Sequence, residues 1–386
     1  MVTLALSSVV MVGLIQLFTA NSQTYQMLVG QSRMQESARF ALSFMADSVR
    51  SAGYRGCNSK RPPVENVAPI PYEFDLYDST PLRPYAGGIA GFNGSTSSWT
   101  PNIHTILPVS PSDGGSDVNV YIATNPADDS VTNYGAGNGI PTDKIVYGTD
   151  VLTLRHMSLT EFDVTGSIST GSEDVVATIS DPTDLNFEKH HILLINDCNT
   201  ESIFVATEVT VGATDVTIEH GPGGTTRAGN LTAGFGGSLT GSVKVAAIES
   251  HTYYVAPGSG VNNMGWQPLS LWRKSGLDAP VEIVEGVEDL QILFGIDTGG
   301  TPLVPTVYLT PDAVTDYKQL VTVRVSVTVN SVDSVGGTSV PTYACDAVIN
   351  DDDDIQNCLD ETVSFDGLIR RTFSQTIRLR NKLKKN

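Results

Sequence analysis

Six histidines, four cysteines, one run of four aspartates and two glycine-rich stretches are the residues of this chain whose types could carry chemistry. The histidines are His104, His156, His190, His191, His220 and His251. They form no HExxH motif and no pair at ligand spacing on a predicted helix. His190 and His191 are adjacent, so on a strand they would point to opposite faces. Surface or partly packed histidines, without a ligating role, are the expectation. Asp351, Asp352, Asp353 and Asp354 are a weak Ca²⁺ candidate, because that hard ion takes several oxygen ligands. The run lacks the Asp-x-Asp-x-Asp-Gly spacing and the distant Glu of an EF-hand. A solvated loop is therefore the plainer reading. Gly221-Pro222-Gly223-Gly224 and Gly234 to Gly237 are followed by neither Lys-Ser/Thr nor a helical pattern, as a phosphate loop requires. There is no G-x-S-x-G elbow. No catalytic, cofactor-binding or metal residue is assigned, no cofactor is expected, and enzyme activity has no support.

The elements that must position these residues begin with a helix. Met1 to Ala20 carry no charge, and the first charged residue is Arg33. Val2, Leu4, Ala5, Leu6, Val9, Val10, Met11, Val12, Leu14, Ile15, Leu17 and Phe18 dominate this stretch. About 20 apolar residues suffice to cross the hydrocarbon core as a helix. A signal peptide would show a basic start, a shorter apolar core and a small-residue cleavage site, and this stretch has none of them. Beyond it, Leu28, Met34, Ala38, Ala41, Met45 and Val49 recur at helical spacing, while Arg33, Glu36, Arg39, Asp47 and Arg50 fall elsewhere. Arg33 with Glu36, Glu36 with Arg39, and Asp47 with Arg50 are each spaced to support a helix modestly. No proline interrupts residues 1–52, so the expectation is one helix on the order of 78 Å long: a membrane anchor continuous with a stalk.

After the helix, residues 53–386 read as a β-rich head, and a second, inserted β subdomain is conceivable at about 157–247. The chain has 36 Gly and 20 Pro, and its charged residues amount to only 17%. Strand patterns appear at Val118 to Ala123, Val151 to Arg155, Val175 to Ile179, Ile192 to Ile195, Ile203 to Val209, Val216 to Glu219 and Val243 to Ile248. The clearest is Val321 to Val329, with Val at every odd position and polar residues between. Leu290 to Ile296 repeats the pattern, and Phe373, Ile377 and Leu379 do so more loosely. Half-buried strands with few helical patterns after residue 53 favour antiparallel sheet. The fold class is thus α+β, a long N-terminal helix followed by a large antiparallel β-rich head.

Acidic residues outnumber basic ones by 42 to 23, giving a formal charge of −19. Nucleic acid is not an expected partner, because affinity for it comes largely from Lys and Arg neutralising phosphates. Arg378, Arg380, Lys382, Lys384 and Lys385 form a basic C-terminal cluster that reads as a solvated tail. Cys57, Cys198, Cys345 and Cys358 contain no CxxC pair, and two disulfides are the expectation for an exported domain. Four cysteines allow three connectivities. The preferred one joins Cys345 to Cys358 across a loop of about 14 residues, contributing roughly 3 kcal/mol. That leaves Cys57 with Cys198, a bridge tying the stalk exit to the head.

The stretch Met1 to Phe18 resembles the hydrophobic helix of type IV prepilins just after their cleavage and methylation motif. Gln35-Glu36-Ser37-Ala38-Arg39-Phe40-Ala41-Leu42 and Ser51-Ala52-Gly53-Tyr54-Arg55-Gly56-Cys57 resemble the PilW family of minor pilins. So, in order, do Asp150 to Arg155, Leu193 to Cys198 with Ile203-Phe204, Tyr253-Tyr254-Val255, Leu271-Trp272-Arg273, Glu285 to Gln291, Val323 to Ser326, and Arg370 to Phe373 through Arg380-Asn381. The resemblance implies a minor pilin, possessing a periplasmic head, that sits in the inner membrane and then in a surface pilus. Its role would be assembly or priming, at the filament tip or elsewhere, in the service of twitching motility. Its partners would be other minor pilins and the major pilin. The alternatives are a type II secretion pseudopilin and a pilus-associated adhesin or ligand-binding subunit. Prepilins carry a basic leader, a Gly at the cleavage point, an aromatic residue and a Glu soon after. None precedes Met1, so either the chain is trimmed or Met1 is an internal Met inside the mature helix.

Overall fold

The computed structural model describes residues 2–57, the strand backbone within 82–97, and residues 149–380 apart from 167, 170–172, 190, 222–233, 236–237, 266, 276–279, 300–303, 311–313, 315–318 and 337–366. The strand expected at Val118 to Ala123, the aspartate run Asp351 to Asp354, Cys345 and Cys358, His104 and His190, and Lys382, Lys384 and Lys385 lie outside the described residues.

The chain opens with one helix, α1 (Val2–Ser51), of 50 residues, about 75 Å at 1.5 Å per residue. Two of its threonines are satisfied locally. The Thr19 hydroxyl donates to the Ile15 carbonyl at 2.9 Å and the Thr24 hydroxyl to the Ala20 carbonyl at 2.8 Å, the back-bonding by which Thr is tolerated inside a helix. The helix stops at Gly53, whose φ of 73° is the left-handed conformation that ends helices.

The strands follow as β1 (Leu82–Tyr85), β2 (Phe92–Asn93), β3 (Thr96–Ser97), β4 (Val151–Met157), β5 (Phe162–Val164), β6 (Val175–Thr178), β7 (Ile192–Asn196), β8 (Glu201–Val205), β9 (Glu208–Val211), β10 (Asp215–Glu219), β11 (Lys244–Pro257), β12 (Leu269–Ser275), β13 (Val281–Glu285), β14 (Val287–Ile296), β15 (Val307–Leu309), β16 (Leu320–Asn330) and β17 (Arg370–Arg378). The larger sheet runs β1-β4-β11-β5-β6-β10-β9, with β7 and β12 also on β11, β8 on β7 and β13 on β12. The smaller runs β15-β14-β16-β17, and β2 and β3 pair by themselves as a two-stranded antiparallel ribbon. The pairings in both are antiparallel. The fold is therefore α+β: a long N-terminal helix, then a large antiparallel β domain.

Two apolar cores form. The first joins Met34, Ala38, Ala41, Met45 and Val49 of α1 to Leu152, Tyr253, Leu271, Leu290, Val325 and Ile377 from both sheets. The second lies away from the helix and includes Phe162, Val175, Phe187, Leu193, Phe204, Ile218, Phe235 and Val245. Strand β11 serves both. Lys244 to Ala247 pair with β5 and β7, whereas Ile248 to Pro257 pair with β4 and β12. The Asp150 carboxylate accepts the Ile292 amide at 2.6 Å and the Asp150 amide donates to the Leu290 carbonyl, joining the start of β4 to β14.

Three local expectations differ from the structure. The strand expected at Val243 to Ile248 is only the first part of β11, because polar Glu249, Ser250, His251 and Thr252 interrupt the apolar pattern without interrupting the strand. The strand expected at Ile203 to Val209 is split into β8 and β9. Between them the Ala206 amide turns to the His191 carbonyl and the Thr207 amide to the Glu219 carbonyl, a change of pairing partner that residue types do not mark. Strands β5, β12, β13 and β15 lie outside the strand patterns read from the sequence.

Candidate functional site

The helix divides into a free part and a docked part. Every described residue from Leu6 to Leu28 is exposed, and from Gly30 onward Gly30, Met34, Ala38, Ala41, Leu42, Met45, Ala46 and Val49 are buried. In the free part Leu6, Val9, Val12, Leu14, Leu17 and Phe18 are all more than half exposed, Phe18 at 75%. A helix apolar on all sides is built for burial against something. Leu28 belongs to this free part at 61% exposure, whereas Met34, Ala38, Met45 and Val49 pack on the head. The side chain of Leu4 lies outside the described set. Among the described residues, no helix is long and apolar enough to cross a membrane.

The docked part is held by directional contacts as well as burial. The Ser48 and Tyr253 hydroxyls are hydrogen-bonded at 2.6 Å. Phe44 meets Tyr253 edge-on at 6.2 Å, and the Arg273 guanidinium lies 5.0 Å over the Phe44 ring. Burial pushes the Tyr253 phenol up, against the Ser48 hydrogen bond and Arg273, which act to lower it. Arg33 reaches Asp333 beyond β16 at 3.7 Å, and Asp47 pairs with Arg50 at 2.7 Å. Gly30 allows this approach: a Cβ there would stand 3.2 Å from Ser331 Cβ and 3.3 Å from Val335 Cγ1.

At the helix exit, the Met157 amide donates to the Tyr54 carbonyl at 2.7 Å. Arg55, itself partly buried, pairs with the buried Glu201. A disulfide joins Cys57 to Cys198, with Cα atoms 5.4 Å apart. Cys198 itself sits at φ 65°, beside Asp197. Burial alone would raise the Asp197 pKa, but backbone amides of Thr200, Thr240 and Asn199 and its own amide bring it below the usual carboxylate value.

Beyond the helix end the fold brings together His156, Glu249 and His251. Glu249 pairs with His156 across β11 and β4, and His251 stands two residues along from Glu249 on the same face. The Glu249 carboxylate lies 3.3 Å from His251 Nε2 and 3.9 Å from His156 Nε2. The hydrogen bond from His251 outweighs burial, and with Ser158 and the charges of both imidazoles it lowers the Glu249 pKa to about 2. Burial lowers the His156 pKa against the Met157 carbonyl and Glu249, which act to raise it. Of the other histidines described, His220 is buried, donates to the Glu173 carbonyl at 2.8 Å and stacks on Phe235 at 4.2 Å. His191 Nδ1 accepts the Glu188 amide. Glu249-x-His251 was the available signal for the three-residue cluster. His156, 93 positions earlier by residue number (249 − 156), joins it only through strand register.

The protein is thus an α+β chain with a free apolar helix end and a docked second half. The PilW family, described as type IV pilus-assembly protein W, matches residues 252–381, from within β11 to just past β17. That match supports a pilin-like, type IV pilus-related role and suggests a cell-envelope or surface location, and the family's description is of an assembly component. Among solved structures, the chain is similar to the type IV-like pilin TTHA1219 from Thermus thermophilus at 16% identity, over 35% of this chain and 68% of that one. The TM-score is 0.18, so no structural argument rests on it. No curated protein matches.

Proposed function

We propose that the chain is a non-enzymatic minor pilin that takes part in type IV pilus assembly and its priming through helix–helix packing. The observation carrying this reading is the division of α1: an apolar run exposed on all sides continues, in one helix, into a segment docked on the head. Exposed apolar surface of this extent marks an interaction site. The free end rests in the inner membrane before assembly, with the head in the periplasm, and then exchanges lipid for the helices of other minor pilins and the major pilin. Ser7, Ser8 and Gly13 are small residues at which another helix can approach closely. The second core, from Phe162 to Ala247, is an inserted lobe that enlarges the head as a tip subunit would need. Deleting the gene and counting surface pili tests the priming role: a marked drop restored by the wild-type chain is expected, and normal pilus number overturns it.

A further inference from the structure

We propose that His156, Glu249 and His251 form a binding site for one borderline divalent transition-metal ion of the Zn²⁺ class, with solvent completing its coordination. This goes beyond the assembly role and does not depend on it.

The donors are of the right kind and in the right place. Two imidazoles and one carboxylate are a common three-ligand set for Zn²⁺, and such sites keep a further position open. Zn–ligand bonds of about 2.0–2.2 Å at tetrahedral angles place donor atoms about 3.3–3.6 Å apart. His251 Nε2 and Glu249 Oε2 already stand 3.3 Å apart, His156 Nε2 is 3.9 Å from the same oxygen, and one ligand atom from each residue fits within 4.8 Å of the others. Small side-chain rotations close the remainder.

The ring nitrogens turned away from the cluster are held in the way metal-binding histidines require. His156 Nδ1 lies 3.0 Å from the Met157 carbonyl. A carbonyl only accepts, so Nδ1 carries the proton and Nε2 of the neutral ring offers a lone pair towards Glu249. His251 Nδ1 lies 2.9 Å from Ser275 Oγ on β12, directly across from it in register, and donates to that hydroxyl in the ligating tautomer. The Ser158 hydroxyl hydrogen-bonds the Glu249 carboxylate while accepting from Asn186 Nδ2 at 2.8 Å. Three strands therefore preset the three ligands.

Access and location also fit. The two histidine side chains are 10% and 14% exposed, and Glu249 is 36% exposed, so an ion enters beside the carboxylate and keeps solvent there. Along β11, His251 and Glu249 continue the face that carries Tyr253 under the helix. The site falls where β11 passes from one core to the other, and a bound ion would tie β4 to β11 at that joint.

The test uses the full chain in detergent micelles, stripped with chelator and titrated calorimetrically with Zn²⁺ alone. One equivalent should bind. His156→Gln and His251→Gln should each weaken binding by at least roughly 100-fold, and Ser275→Ala by roughly 10-fold, with melting curves checking that each variant folds. X-ray absorption of the Zn²⁺-loaded wild-type chain reads the ligands without any variant, and should show two imidazoles and no sulfur. Absence of saturable binding, unchanged binding in a folded His156→Gln/His251→Gln double variant, or a spectrum with fewer than two imidazoles would overturn the proposal.

Discussion

Asp197 shows how one side chain can fix a corner on which larger parts depend. Its Oδ1 accepts the Asn199 and Thr200 amides at 2.9 and 2.6 Å, and its Oδ2 the Thr240 amide at 3.1 Å. This holds Cys198 at φ 65°, where its sulfur meets Cys57. Because the folded pKa is lowered, the carboxylate's contribution is complete above the unfolded value near 3.9 and is lost as pH falls through the folded value. Asp197→Asn should cost about 1–3 kcal/mol at pH 7, since Thr240 loses a charged acceptor. The gap in melting midpoint between variant and wild type should narrow as pH drops below about 4, and a constant gap from neutral pH to pH 3 would contradict this role. Such a corner was not legible in the sequence, because Thr240 reaches Asp197 across 43 residues.

At the scale of elements, α1 and β16 were the most readable parts. Val323, Val325, Val327 and Val329 are fully buried while Arg324, Ser326 and Thr328 are only partly buried, as period-two alternation predicts. The polar residues are matched across the register to β17: Ser326 with Ser374 at 2.7 Å, Thr328 with Thr372 at 2.9 Å, and Arg324 with Thr376 at 3.2 Å. For α1 the apolar stripe was legible, but not where free helix gives way to docked helix. That boundary is set by Gly30 against Ser331 and Val335, which the local pattern of α1 cannot reveal. Met45→Ala should destabilise the head by about 2–5 kcal/mol through a cavity between the sheets and helix, read by denaturant unfolding. Gly30→Leu should cost about 1–3 kcal/mol by overpacking and raise amide exchange around Met34. If it leaves stability and exchange unchanged, the close approach is unimportant.

Over the whole molecule, α1 packs into the first core, β11 runs on from that core into the second, and the Cys57–Cys198 bridge ties the helix exit to the turn between β7 and β8. The Cys57–Cys198 bridge spans a sequence separation of 141, so its entropic effect on the unfolded chain is about 5 kcal/mol. Replacing both cysteines with serine should lower the melting midpoint and increase proteolysis between residues 53 and 58, and unchanged values would show that Arg55–Glu201 and the Met157–Tyr54 contact suffice. The antiparallel β class was legible from alternating strands. The division of β11 between two cores was not, because pairing partners depend on register rather than residue type.

In the proposed role, the free end of α1 assembles this chain into a filament while the docked end carries the head. Quantitative mass spectrometry of sheared filaments, comparing wild type with Leu14→Glu at equal cellular levels, tests it most directly. The wild-type chain should appear at low stoichiometry beside a major pilin, and Leu14→Glu should fall at least roughly tenfold, since a buried unpaired carboxylate costs several kcal/mol. Filaments without the wild-type chain, or with undiminished Leu14→Glu, would contradict assembly through the free end of α1.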